Sequence, residues 1–180
     1  MIHDLVIEKH DGNQAAVLAD ELGALYAAAY AGTPQADNPF YSADRFAERL
    51  HGYIKAPGFR LVTARAGGDL IGYAFGYVLP VSARWWAGLL DTPPAGFTTE
   101  TGSRTFALNE LHVRADHRGS GVASKLHSKL LETGSHERAT VLVRPENPAL
   151  HQYEHWGYHP VGRLKPYPDS PEYLAMVLSL

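Results

Sequence analysis

The stretch ELHVRADHRGSGVASKL, Glu110 to Leu126, holds the residues whose types and spacing suit chemistry. Arg118-Gly119-Ser120-Gly121-Val122-Ala123 lies between a predicted strand and a predicted helix. The first backbone N–H groups of a helix have no intrahelical partner and sit at the positive end of its dipole, so such a turn favours an anion. Glycines let the backbone approach a phosphate because no Cβ intervenes. The plainer alternative is a tight connection in which the two glycines only permit the turn. Upstream, Glu110 and His112 are proton acceptors two residues apart, on one face of a regular strand with Asn109 on the other. A β-bulge would exchange those faces. Glu110 is the first candidate for a base, since burial raises a carboxyl pKa and improves it as a proton acceptor. Its alternatives are a strand-edge carboxylate paired with a basic neighbour, or one that attracts a cation. His112 ranks second: imidazole chemistry suits the task, but a chain with 10 histidines uses most of them structurally.

The elements that must position these groups follow from pattern. Residues 3–9 alternate as a first strand. Residues 13–32 read as one alanine- and leucine-rich helix ending at Gly32, with Pro34 just beyond. Residues 33–41 read as a loop, and Ser42 caps a second helix carrying Phe46, Leu50 and Ile54 at four-residue spacing. Residues 59–79 form two strand-like runs around Gly67-Gly68-Asp69, a hairpin signal. Residues 80–104, with paired prolines, are the longest irregular segment. A strand over 105–113 leads into a helix over 120–134, with Val122, Leu126 and Leu130 on one stripe and Gly134 as its stop. A buried strand over 138–143, a short helix over 148–156 stopped by Gly157, and two strands over 158–164 and 173–180 complete the chain. This order predicts a single α+β domain over 1–180. Its mixed, mostly antiparallel sheet has roughly six or seven strands flanked by about four helices, with a parallel βαβ crossover carrying the glycine turn.

Composition removes several function classes. The chain has 180 residues, 45% of them apolar, and a formal charge of -3 from interspersed acids and bases. No basic face is available for wrapping nucleic acid, so no nucleic-acid partner is expected. There is no cysteine, which excludes disulfides, thiolate metal sites and a covalent cysteine nucleophile. The start MIHDLVIEKHDG lacks the pattern of a signal peptide, and no apolar run approaches the ~20 residues of a membrane span. A cytoplasmic protein with no membrane partner is the expectation.

Three phosphate-binding patterns compete for the turn. A P-loop requires Lys-Ser or Lys-Thr after a second glycine, and none is present. A dinucleotide fingerprint requires Gly or Ala where Ser124 stands, and an acid at the end of the next strand, where Arg144-Pro145 stands instead. The third pattern fits: Arg118 to Ala123 resembles the Arg/Gln-x-x-Gly-x-Gly/Ala segment of the GNAT N-acetyltransferase family. A second segment, NPALHQYEHWGYHPVG over 147–162, is similar to that family's Asn, Ala, Tyr-Glu-x-x-Gly-Phe segment, with Tyr158 in place of the phenylalanine.

The resemblance implies a fold and a set of roles. The cosubstrate is acetyl-CoA, its pyrophosphate held by the backbone amides of Arg118, Gly119, Ser120, Gly121, Val122, Ala123 and Ser124. Backbone groups of Leu111, His112 and Val113 support the acetyl carbonyl and the pantetheine arm. Asn147 contacts the cofactor, although it can equally cap the helix that begins at Pro148. Tyr153 is the general acid toward the departing thiolate and also a cofactor contact; the plain alternative is a tyrosine packing its ring. The acceptor is a primary amine of a small molecule or peptide. An alkylammonium with a pKa of ~10.4 must lose a proton before it attacks, and Glu110 is the candidate to take it.

Weaker signals surround this site. Trp85 and Trp86 suit the wall of an acceptor pocket, or pack a loop, or a homodimer contact. Asp37, Phe40, Tyr41 and Asp44 border the break between the first two helices, beside the expected acceptor. His151 and His155 stand four apart, as a metal pair would, but no third ligand follows and no metal is assigned. Two other function classes remain open: an acyl-CoA-binding module without turnover, and a nicotinamide oxidoreductase, which Ser124 and Arg144 oppose.

Overall fold

The computed structural model describes residues 2, 4–132 and 134–180. The chain forms two compact units: Met1–Tyr77 with Asn109–Gly134, and Val78–Leu108 with Ser135–Leu180. Seven strands follow the hydrogen-bonded order β1-β2-β3-β4-β5-β7-β6. All of the described pairings are antiparallel except β4 with β5. Strand β4, Thr105–Val113, gives its first half to the second unit and its second half to the first. Among the described residues, no helix is long and apolar enough to cross a membrane.

In the first unit, β1 (Val6–His10), β2 (Arg60–Ala66) and β3 (Asp69–Val78, up to Tyr77) form an antiparallel ladder. Gly67 and Gly68 both take positive φ, 57° and 91°. That is the two-residue turn whose twist matches the strands it joins, and only glycine enters it without strain. The expected first strand begins later than anticipated, at Val6, and its anticipated first residue, His3, lies outside the described residues.

The expected single helix over 13–32 is two helices, α1 (Gly12–Val17) and α2 (Ala19–Tyr30), broken at Leu18 with ψ near 1°. Their partners differ: α1 packs on β1 and β2, whereas α2 packs on α3. One straight rod cannot serve both. The start of α1 is fixed by Asp11, which accepts from the Gln14 N–H while the Gln14 side chain accepts from the Asp11 N–H, a capping box. Gly12 is obligatory there, since a Cβ would fall 2.2 Å from the Ile54 carbonyl oxygen. A 3₁₀ turn over Pro39–Tyr41 interrupts the expected loop 33–41. Ser42 caps α3 (Ala43–Tyr53), its hydroxyl accepting from the Arg45 N–H at 3.3 Å. Leu22, Leu25 and Tyr26 of α2 and Phe46 and Leu50 of α3 are buried in this layer.

Helix α4, Val122–Leu131, is shorter than the predicted 120–134, whose Thr133 lies outside the described residues. Its stripe of Val122, Leu126 and Leu130 is buried, and it packs on β1 and β2. Glu132 bridges Lys9 at 2.9 Å and Lys129 at 2.8 Å.

In the second unit, β4 pairs in parallel with β5 (Arg138–Val143) over Thr105–Leu108. Beyond β5 lie β7 (Tyr173–Ser179) and then β6 (His159–Leu164). The short α5, Ala149–His155, ends at Gly157, whose φ is 92°. The segment 80–104 is irregular as expected, apart from a 3₁₀ turn over Trp85–Gly88 and an isolated bridge between Leu89 and Leu164.

Candidate active site

Within the first unit, the second half of β4 sends Glu110 and His112 to one side, toward α2 and α3. His112 Nε2 and Glu110 Oε2 are 2.8 Å apart. The imidazole meets the rings of Tyr26, Tyr30 and Tyr73 with centroids 5.4, 5.7 and 5.5 Å away. The shared face expected from strand alternation is therefore present. Asn109, on the other side, has a buried Oδ1 without a hydrogen-bond partner.

A third charged group enters from α3. Arg49 Nη2 lies 3.9 Å from Glu110 Oε1. Its guanidinium is anchored twice: Nη1 donates to the Phe40 carbonyl at 2.9 Å and Nη2 to the Tyr26 hydroxyl at 3.0 Å. It also stands 4.7 Å from the Phe40 ring centroid. Burial, reinforced by the charge of Glu110, pushes the Tyr26 phenol well above its usual range despite the opposing pull of Arg49. Tyr73 is raised for the same two leading reasons, and its buried hydroxyl has no hydrogen-bond partner. These phenols stay neutral at physiological pH.

The strand end is approached closely from β3. A Cβ on Gly72 would stand 3.0 Å from the His112 carbonyl oxygen, 3.1 Å from Leu126 and 3.3 Å from Val113. Glycine at 72 thus lets β4 and α4 close onto β3, and the Arg114 N–H donates to the Ile71 carbonyl at 2.8 Å. Leu111 is half-buried and Val113 buried. After a 3₁₀ turn over Ala115–His117 the chain enters the glycine turn. Arg118 Nε donates back to the Val113 carbonyl at 3.2 Å, and the Ser120 hydroxyl to the His117 carbonyl. Gly119 and Gly121 have φ of 72° and 81°, and a Cβ on either would meet nothing within 4 Å. Gly121 is the N-cap of α4 with no side-chain cap. The N–H groups of the first turn, Val122 to Ser124, are left to an external acceptor.

In the second unit, Pro148 is the N-cap of α5, and Asn147 Oδ1, one residue before it, accepts from the Ala149 N–H at 3.0 Å. Tyr153 is buried, its ring edge-on to Trp156 and Tyr158 at 5.4 Å each. Burial drives the Tyr158 phenol far up, with Tyr153 adding to it.

The sequence model of the acetyltransferase (GNAT) family matches residues 21–158. The chain belongs to the GNAT acetyltransferase family. The fold is that of solved GNAT structures. A protein from Pyrococcus horikoshii OT3 superposes with a TM-score of 0.70 at 19% identity, covering 98% of this chain and 99% of its own. An aminoglycoside 6'-N-acetyltransferase complexed with coenzyme A gives 0.64 at 16% identity, covering 97% and 96%. The PaiA N-acetyltransferase of Thermoplasma acidophilum, also in complex with coenzyme A, gives 0.62 at 10% identity, covering 98% and 99%. No curated protein matches the chain in sequence.

Several residues singled out in the sequence of this GNAT protein have structural duties. Trp86 is buried, and its indole N–H donates to Glu100 at 2.8 Å, so it packs the loop 80–104. Trp85 is half-buried with a partnerless Nε1. Phe40 and Tyr41 are buried, whereas Asp37 and Asp44 are exposed. His151 pairs with Glu154 at 3.1 Å on an exposed face of α5. Arg49, Tyr26 and Tyr73 were not singled out. The signal for Arg49 is its place on the apolar stripe of α3, between Phe46 and Leu50, where a charge needs a buried partner. Tyr26 follows Leu22 and Leu25 on the core stripe of α2 and reads there as packing alone.

Proposed function

We propose that this chain transfers an acetyl group from acetyl-CoA to a primary amine of a small molecule or peptide, by direct attack with both substrates bound. The observation that carries this reading is the open left-handed glycine turn at the uncapped start of α4, one 3₁₀ turn after the strand that holds Glu110 and His112. An acyl-CoA fits what the turn offers. Its pyrophosphate requires convergent N–H donors and close backbone approach, and Gly119, Gly121 and the free amides of Val122 to Ser124 supply both.

When bound, acetyl-CoA supplies an activated acyl group as a thioester. The residues of this chain do the rest. The amides from Gly119 to Ser124 hold the phosphates, and the backbone from Leu111 to Val113 aligns the acyl arm. The Glu110 and His112 pair takes the proton that makes the amine nucleophilic. Tyr153, by its position in the segment shared with the family, gives its hydroxyl proton to the departing sulfur. Asn147 adds a polar contact to the cofactor beside its bond to the Ala149 N–H. With no cysteine in the chain, no thiol of the protein is available to carry the acyl group.

The test is thiol release from acetyl-CoA with a panel of polyamines, aminoglycosides, amino acids and peptide N-termini. Release that depends on one amine class, with formation of the acetylated amine by mass, is the expected result. Tight CoA binding without release on any amine overturns the enzymatic reading and leaves a binding module.

A further inference from the structure

We propose that His112 is the residue that takes the amine proton, through Nδ1, and that Glu110 is the positioning residue that holds His112 in the required tautomer. This rests on the acetyltransferase reading above and assigns the base within it.

The hydrogen bond decides the tautomer. An ionised carboxylate only accepts hydrogen bonds, so Nε2, 2.8 Å from Glu110 Oε2, carries the proton and donates it. In the neutral ring Nδ1 then keeps its lone pair. Among the described residues Nδ1 has no hydrogen-bond partner. The buried polar atoms lacking a partner in this unit are Tyr73 Oη and Asn109 Oδ1, and Nδ1 is not one of them. One nitrogen is tied to a carboxylate and the other is open toward a substrate, as in nucleophile-base-orienter arrangements on unrelated folds.

Glu110 itself is committed to other partners. Oε2 is engaged by His112 and Oε1 faces Arg49 Nη2 at 3.9 Å. Protonating the carboxylate would forfeit its charge interaction with Arg49 and weaken the bond to His112. Arg49 cannot swing away, because the Phe40 carbonyl and the Tyr26 hydroxyl hold it. Among the described residues the imidazole meets Glu110 on its own strand, Tyr73 on β3, and Tyr26 and Tyr30 on α2. The phenols Tyr26 and Tyr73, raised by burial, remain neutral donors and bring no competing charge. Tyr26 and Tyr30 meet the imidazole edge-on, and Tyr73 meets it tilted.

The proton balance is simple. The Nδ1 lone pair accepts one proton from the alkylammonium, the N–H electrons remain on the amine nitrogen, and the imidazolium returns that proton to solvent after the product leaves. While it is charged, the adjacent Glu110 carboxylate stabilises it. The attacked nitrogen loses its second proton as the intermediate collapses, which offsets the proton taken up by the departing sulfur, so the net reaction releases one proton per acetyl group transferred from an ammonium.

The test uses the intact protein and an amine that the wild type turns over. His112→Gln keeps a donor for Glu110 but has no basic nitrogen, and His112→Ala leaves room for added imidazole. Coenzyme A affinity by calorimetry and the thermal midpoint check that both variants are folded. The expected result is a loss of about 10²–10⁴ in kcat/KM for both, unchanged coenzyme A affinity, and recovery of at least roughly tenfold in His112→Ala on adding imidazole. Glu110→Gln is expected to lower kcat with KM for acetyl-CoA unchanged. His112→Gln within about threefold of wild type, or a folded His112→Ala that imidazole does not rescue, overturns the assignment while the acetyltransferase reading stands. A wild type inert toward every amine overturns both.

Discussion

Glu100 Oε1 lies 3.0 Å from Arg138 Nη2, and both side chains are almost wholly withdrawn from water. The same oxygen accepts from Trp86 Nε1 at 2.8 Å and from the Thr105 hydroxyl at 2.9 Å. Arg138 in turn donates to the Thr105 hydroxyl at 2.7 Å and to the Phe97 carbonyl at 2.8 Å, with its guanidinium 4.5 Å from the Phe97 ring centroid. The long irregular segment 80–104 is therefore bolted to β5 by a buried charge pair. Removing one partner of such a pair leaves the other charge uncompensated, which costs about 3–5 kcal/mol. Glu100→Gln is expected to destabilise by that order in urea unfolding. The double variant Glu100→Leu with Arg138→Met is expected to recover most of it. A Glu100→Gln loss under about 1 kcal/mol would mean that water reaches Arg138.

Tyr153→Phe isolates a single hydroxyl. The ring stays in its edge contacts with Trp156 and Tyr158, so folding and coenzyme A affinity are expected to hold near wild type. Turnover is expected to fall by about 10²–10⁴ if the phenol protonates the departing sulfur. Steady-state thiol release beside calorimetric affinity reads both quantities, and unchanged turnover removes the acid role.

Gly121 separates charge from backbone strain. Its φ of 81° disfavours any side chain, although no atom stands within 4 Å of a Cβ there. Asn and Asp tolerate the left-handed region comparably and share a shape. Gly121→Asp is therefore expected to weaken coenzyme A binding at least roughly tenfold more than Gly121→Asn, through repulsion of phosphate at the helix start. Equal losses by calorimetry would move the pyrophosphate elsewhere.

His127 predicts an acid limit of stability. It is buried on α4, and burial pulls its imidazole down from 6.5 to about 4. The folded-state value is depressed, so the unfolded chain binds the proton first as pH falls. The contribution is fully present above about 6.5, is lost progressively down to about 4, and is constant below. The slope is at most one proton and the total at most about 3 kcal/mol. Denaturant midpoints across that range are expected to lose this portion of their slope in His127→Leu. A His127→Leu profile that keeps the wild-type slope would assign it to other groups.

Local signals were legible wherever neighbours in sequence settle the outcome. The Ser42 cap, the Gly67-Gly68 turn, the bounds of β4 and β5 and the stop at Gly157 all depend on bonds or dihedral angles within a few residues. The break at Leu18 was not legible, because α1 and α2 answer to different partners far along the chain. The place of Arg49 on the stripe of α3 calls for a buried partner without naming one. Only the packing of α3 against α2 and the end of β4 turned it toward Glu110. Glu100 lay unremarked in an irregular segment until Arg138, on another strand, gave its charge a buried partner.

By itself the sequence determined the family, the strand-turn-helix with its two glycines, and the common face of Glu110 and His112. These follow from periods of two and 3.6 residues and from what glycine permits. Tertiary structure alone decided what stands around those two side chains. That depends on Arg49 and a set of tyrosines arriving from elements distant in the chain, and charge interactions in a buried cluster are set by distance and desolvation rather than by order along the chain.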